Sequence, residues 1–251
     1  MNEWNDIAVI SPVRDIDIST VASLRSQIDA LVESGVRRIL VNCQDVTYID
    51  SSGIACLLSR SRELARLGGM LSLVNTSPGV TRSIQIARLL DALHVTAAVR
   101  PPVPVLKPGE LPLWSKSVSV REGVENLGYY RHRIADMISA LPMSQNDRFD
   151  TALAVGEALS NAYDHGGNGA GCTMMVMAYP DRVVIEVRDC GCGYEIAPDE
   201  EPRESVERGR GIRLMRMLVD SVEVRRRRDT TGTLVRLIKL LNETGAPDRA
   251  A

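Results

Sequence analysis

Aromatic side chains are scarce in this chain, with two tryptophans, six tyrosines and one phenylalanine in 251 residues. Little is therefore available to stack on bases. The formal net charge of −2 at pH 7 supplies no basic excess for phosphates, so nucleic acid is not an expected partner. No apolar run approaches the roughly 18 residues of a membrane helix. The opening Met1-Asn-Glu-Trp-Asn-Asp6 has no basic region before an apolar stretch, so neither a membrane span nor a signal peptide is expected. The five cysteines, at 43, 56, 172, 190 and 192, are odd in number, and each lies in an apolar run or a glycine turn. A disulfide framework is not expected at this size, and a reducing, cytoplasmic setting fits. Cys190-Gly-Cys192 has no second ligand pair, so it reads as small filler in a glycine loop rather than a metal site.

What is present is enough apolar material, 44% of residues, for two cores of ordinary domain size. The stretch from Arg100 to Pro112 carries four prolines within nine residues. It cannot continue a helix or a central strand, and is read as an extended, semi-rigid linker over 100–115. It separates a first domain, 1–99, from a second, 116–242, with a polar tail at 243–251.

In the first domain, strand and helix patterns alternate. Ile7–Val13, Arg38–Cys43 and Met70–Val74 read as strands. Val21, Leu24, Ile28, Leu31 and Val32 make one helical stripe, and Ile54, Leu57, Leu58, Leu64 and Leu67 a second. Val80, Ile84, Ala87 and Leu90 make a third. An α/β fold, a mixed sheet covered by helices, follows. In the second domain two helices come first. One bears Val124, Leu127, Ile134, Met137, Ile138 and Leu141; the other runs from a Ser144 cap to about Asp164. Strands Cys172–Tyr179 and Arg182–Arg188, a short helix Ile212–Leu218 and two strands around Gly232 complete an α+β sandwich, with helices on one face of a mixed sheet. The Arg225–Arg228 run is read as solvated arginines on a strand edge.

Three motifs in the second domain carry chemistry. Glu157, Asn161 and His165 are spaced by four, and four residues turn a helix by about 400°, so the three project roughly together. An amide oxygen suits Mg²⁺, which prefers oxygen ligands and keeps several waters; a carboxylate one turn away can orient water or accept a hydroxyl proton. Asp189-Cys-Gly191-Cys-Gly193 follows a strand, so its carboxylate can accept from an exocyclic amine while the glycines admit a ring close to backbone. Gly209-Arg-Gly211 opens a helix whose free N–H groups suit phosphate, beside Arg208, Arg210 and Arg213.

In this order the motifs, from about Glu122 to Leu241, resemble the GHKL ATPase fold, nearest its branch of bacterial anti-sigma-factor serine/threonine kinases. The resemblance implies bound ATP and Mg²⁺, with Glu157 the catalytic base and Asn161 the magnesium ligand. Asp189 would hold adenine with support from Thr233, after Gly232. The same resemblance places His165, Gly191, Gly193, Arg208, Gly209 and Gly211 around the nucleotide, and makes the loop from about Ala197 to Arg208 its lid. A sensor histidine kinase is disfavoured, because His132 lacks the acidic neighbour and proline of that family's phosphoacceptor helix.

In the first domain, Asp50-Ser51-Ser52-Gly53 joins a strand-like segment to an apolar helix, and a helix N-terminus stabilises a phosphate. With Asp15-Ile-Asp17 and the run Ile39–Ile54, residues from about Ile7 to Val99 resemble the STAS domain of anti-sigma-factor antagonists. That resemblance makes Ser52 the phosphoacceptor, flanked by Asp17 and Asp50. Together the two resemblances imply a partner-switching regulator. It would phosphorylate its own Ser52, within one molecule or across a dimer, or the serine of a separate STAS antagonist, and so control a sigma factor. A PP2C-type phosphatase would be the opposing partner. The alternative is a nucleotide-sensing binding module without kinase activity, whose STAS half is a docking surface.

Overall fold

The computed structural model describes residues 7–100, 102–120, 127–165, 171–197 and 207–241. The chain divides into two compact units, Met1–Pro101 and Pro102–Ala251. No described helix is long and apolar enough to cross a membrane.

The first unit places β1 (Ile7–Ile10), β2 (Arg38–Asn42) and β3 (Met70–Val74) in one sheet, in that order and all parallel. The antiparallel member that a mixed sheet requires is not among the described residues. Parallel neighbours need crossovers, and these are α1 (Val21–Glu33) and α2 (Ser51–Arg66). Central β2 is buried from Arg38 to Val41, which is why its sequence reads as a continuous apolar run rather than an alternation. Val21, Leu24 and Ile28 of α1 and Cys56, Leu57 and Leu64 of α2 are buried at helical spacing. The third helix, α3 (Pro78–Ile86), starts on Ser77, whose hydroxyl accepts from Val80 N–H, with Pro78 in its first turn. It stops four residues short of the predicted Leu90, because Arg88 takes a φ of +56°. Leu89 and Leu90 still pack partly against the core, from a turn rather than a helix.

The second unit is a five-stranded sheet of order β4 (Trp114–Val120), β5 (Cys172–Ala178), β6 (Arg182–Arg188), β8 (Thr233–Leu240) and β7 (Ser221–Arg226). Every pairing is antiparallel, which corrects the expected mixed sheet. The helices are α4 (Leu127–Ile138), α5 (Gln145–His165) and α6 (Glu207–Leu218), with α5 packed between α4 and α6 and over the central strands. Ser144 caps α5 as predicted: its hydroxyl accepts from Asp147 N–H at 3.0 Å and donates to the Asp147 carboxylate at 2.7 Å. Register puts Val118, Met174, Val187, Val235 and Val224 in one row across the sheet, all buried.

Strand β4 was not predicted. Lys116 breaks its alternation, and as an edge strand it buries only Val118 and Val120 fully. The proline-rich segment ahead of it lies on the second unit. Leu113 N–H donates to the Ala178 carbonyl at 2.7 Å, and buried Arg182 donates to the Pro104 carbonyl.

Candidate functional site

Helix α5 supplies the first wall of a cleft. Asn161 and Ala162 line it together with Asp189, Tyr194, Ile212, Met215, Val224, Thr233 and Val235. The walls are mainly apolar and the polar groups few, the usual make-up of a small-molecule site. Glu157 lies one turn before Asn161. A methyl group added at Gly211 would come within 3.1 Å of Asn161 Nδ2 and 3.4 Å of Glu157 Oε2. Gly211 is therefore what lets α6 close on these two polar side chains. Burial pushes the Glu157 carboxyl up from its ordinary range, and the Arg131 guanidinium on α4 opposes that push.

The second wall is built on Asp189, at the end of β6 and buried. Its N–H donates to Thr233 O at 3.1 Å. Its Oδ1 accepts from Gly191 N–H and Thr233 N–H, each at 2.9 Å. Oδ2 has no partner among the described residues, so one lone acceptor remains on a carboxylate whose position is set by backbone. Gly193 and Gly232 have φ values of +78° and +127°, which glycine adopts without penalty.

Helix α6 begins at Glu207, earlier than the predicted Ile212. Gly209 and Arg210 thus belong to the first turn, where N–H groups have no intrahelical partner, while Gly211 contributes by lacking a side chain. The side chains of His165 and Arg208, and most of the expected lid, lie outside the described residues. Among the sequence-predicted residues, the structure brings Glu157, Asn161 and Gly211 together, and it places Asn161, Asp189 and Thr233 on one cleft. Ala162, Tyr194, Ile212, Met215, Val224 and Val235 also line the cleft and were given no site role from the sequence.

Arg227 was read as solvated. Arg226 and Arg228 on either side are exposed, but the Arg227 side chain is 14% exposed and its Nη1 donates to Asp189 O at 3.0 Å.

The predicted phosphoacceptor turn sits at the start of α2. Asp50 is the N-cap: Oδ1 accepts from Gly53 N–H at 2.9 Å and from the Ser52 hydroxyl at 2.6 Å, and Oδ2 accepts from Ile18 N–H at 3.1 Å. The Ser52 hydroxyl first, and then Gly53 N–H, hold the Asp50 carboxyl below its usual range. Asp17 does not flank Ser52 by contact. Its Oδ1 is taken up by Ser19 N–H, the Ser19 hydroxyl and Thr20 N–H, so this carboxylate stabilises its own turn. Ile18 and Tyr48, bordering the serine turn, are 77% and 54% exposed.

Gly53 is required on steric grounds. A Cβ there would lie 2.8 Å from the Ile16 carbonyl oxygen and 2.7 Å from Ile16 Cγ2. The Ile16 backbone cannot give way easily, since its N–H donates to Tyr48 O and its carbonyl accepts from Asp50 N–H, both at 3.1 Å. Gly53→Ala is expected to destabilise the first unit by about 1–3 kcal/mol, read as a lower denaturant midpoint for this unit alone.

A parallel α/β unit with a capped serine turn, followed by a helix-backed antiparallel sheet with an asparagine–aspartate cleft, defines a two-domain protein of STAS and GHKL ATPase type. Residues 1–100 match the STAS domain, and residues 121–239 match the histidine kinase-like ATPase domain. Through its first domain the chain belongs to the STAS family of anti-sigma factor antagonists. The anti-sigma F factor antagonist of Lysinibacillus sphaericus is 32% identical over 85 residues, 34% of this chain and 73% of that protein. The anti-sigma-B factor antagonist of Staphylococcus aureus (strain NCTC 8325 / PS 47) is 28% identical over 81 residues, 32% of this chain and 75% of that protein. The solved structure of the anti-sigma factor antagonist SpoIIAA in its unphosphorylated form is 28% identical, covers 36% of this chain and 80% of that one, and superposes with a TM-score of 0.34.

Proposed function

We propose that the protein is a partner-switching regulator whose second domain binds Mg-ATP and phosphorylates a STAS-domain serine, its own Ser52 or that of a partner. The observation that carries this reading is the joint presence, in one chain, of the Asn161–Asp189–Thr233 cleft, with Glu157 one helical turn before Asn161, and of the Asp50-capped Ser52 turn. Partners fitting the reading are an anti-sigma factor or a sigma factor, a separate STAS antagonist and an opposing phosphatase.

The donor set suits a magnesium nucleotide. Asn161 offers one amide oxygen, and no cluster of three or more His, Cys, Asp or Glu side chains gathers among the described residues. A metal there would be held largely by phosphate and water oxygens, as Mg²⁺ favours. Asp189 Oδ2 accepts from a purine amine. The half-buried Glu157 carboxylate takes the serine hydroxyl proton while Oγ forms its bond to the γ-phosphorus, and the bond from that phosphorus to the ADP oxygen breaks.

The product would act at the serine turn in two ways. Ser52 Oγ would lose the proton it donates to Asp50, and a group carrying about −1.5 to −2 charges would sit beside that carboxylate. A partner resting on the exposed Ile18 and Tyr48 would meet repulsion and a loosened cap.

Peptide mapping by mass spectrometry after incubation with Mg-ATP tests the reading. One phosphate on Ser52, absent from Ser52→Ala, is the expected result for self-phosphorylation, and a dilution series separates transfer within a molecule from transfer between molecules. Phosphate appearing only on an added STAS protein makes the substrate a partner. ATP bound with no phosphate on any STAS serine overturns the kinase and leaves a nucleotide-sensing module.

A further inference from the structure

We propose that Arg227 is a positioning residue of the nucleotide pocket, holding the purine-accepting Asp189 in place through its main-chain carbonyl. The inference rests on the nucleotide reading above.

Of the four consecutive arginines 225–228, Arg226 and Arg228 are exposed and Arg225 pairs with Glu223, whereas Arg227 reaches the main chain of Asp189. β7 ends at Arg226, and Arg227 N–H donates to Gly232 O at 2.9 Å, closing the hairpin into β8. That backbone bond turns the side chain inward. Nε and Nη2 then bond both oxygens of Asp229, at 3.1 and 2.7 Å, which fixes the guanidinium plane. The remaining nitrogen, Nη1, donates to Asp189 O at 3.0 Å and lies 3.7 Å from Cys190 Sγ. Gly232 packs against the same carbonyl, since a Cβ there would stand 2.1 Å from Asp189 O.

The main chain of Asp189 is thus held on two sides, and its carboxylate through Gly191 and Thr233 N–H. Without Arg227, a buried carbonyl loses a charged donor and the Asp189-Cys190 peptide is free to rotate. The carboxylate would then lose its fixed aim, although none of its own hydrogen bonds had been removed. Lysine could reach the carbonyl as a point charge, but it cannot make the paired bond to Asp229 at the same time. The exposed Arg228 makes a suitable control for the loss of one positive charge.

Calorimetric titration of the full chain with Mg-ATP, adenosine and Mg-GTP tests this in wild type, Arg227→Gln, Arg227→Lys, Arg228→Gln, Asp189→Asn and the double variant Arg227→Gln/Asp189→Asn. Arg227→Gln is expected to weaken ATP and adenosine equally, by roughly tenfold, and to narrow the preference for ATP over GTP. Arg227→Lys should recover part of the loss, and Arg228→Gln should match wild type. The double variant should bind no more weakly than Asp189→Asn alone, because Arg227 acts through Asp189. Wild-type affinity in Arg227→Gln, or losses that add in the double variant, would overturn the positioning role and leave the nucleotide site standing. No ATP binding by wild type would overturn both readings.

Discussion

Glu157→Gln is expected to lose phosphoryl transfer by roughly two to four orders of magnitude while keeping its affinity for Mg-ATP. The amide matches the carboxylate in shape but cannot take the serine proton, so the loss should fall on the chemical step. Quenched-flow transfer rates beside equilibrium titration read the two separately; undiminished transfer would remove Glu157 from the role of base. The same substitution should change stability in the opposite sense. Burial raises the Glu157 carboxyl above its unfolded value of 4.5, against the pull of Arg131. In the window from that value up to the raised one, the folded chain holds a proton that the unfolded chain has released. Stability therefore falls as pH rises through the window, and the penalty is present in full above it. Glutamine carries no such penalty. Glu157→Gln should be more stable than wild type at neutral pH, and the two should converge below pH 4.5. A residue whose removal stabilises the fold while stopping the chemistry is one whose place in the sequence is explained by function rather than packing.

The elements most legible in the sequence were those whose reasons are local. The spacing of Glu157 and Asn161 on α5 and the Ser144 cap can both be read within one or two helical turns. β2 and β3 were legible as short apolar runs. What was hidden depends on distant partners. β4 is an edge strand whose Lys116 interrupts the alternation, so nothing within those seven residues distinguishes it from the end of a linker. The apolar side of the cleft, Ala162, Ile212, Met215, Val224 and Val235, has the composition of a core because it is continuous with one. Asp17 was expected to flank Ser52; the sequence did not show that its Oδ1 would be taken by Ser19 and Thr20 in its own turn. Which of four arginines turns inward is decided by the register of the β7–β8 hairpin, a property of two strands together.

Among the described glycines of the second unit, Gly232 is where an added methyl group is expected to have the largest effect. The new Cβ would stand 2.1 Å from Asp189 O and 2.8 Å from Asp189 C, both backbone atoms that no rotamer change can move. The φ of +127° adds a conformational penalty for any side chain. Relief requires the start of β8 to part from the end of β6, and this breaks both bonds that tie Asp189 to Thr233. The combined cost is on the order of 3 kcal/mol or more, a large share of the 5–15 kcal/mol that holds an ordinary domain together. Hydrogen exchange should accelerate in peptides covering β6 and β8 and remain unchanged in those covering β1, β2 and β3. ATP binding should be lost with it. Gly193→Ala supplies the comparison. Its φ is also positive, at +78°, but its nearest neighbour is the Gly232 carbonyl oxygen at 3.0 Å, so a smaller shift relieves the clash. It should weaken nucleotide binding with little change in exchange along β6 and β8. If Gly232→Ala instead bound ATP like wild type, the approach of Gly232 to Asp189 could not be what shapes this end of the cleft. The argument that backbone, rather than side-chain packing, aims the Asp189 carboxylate would fall with it.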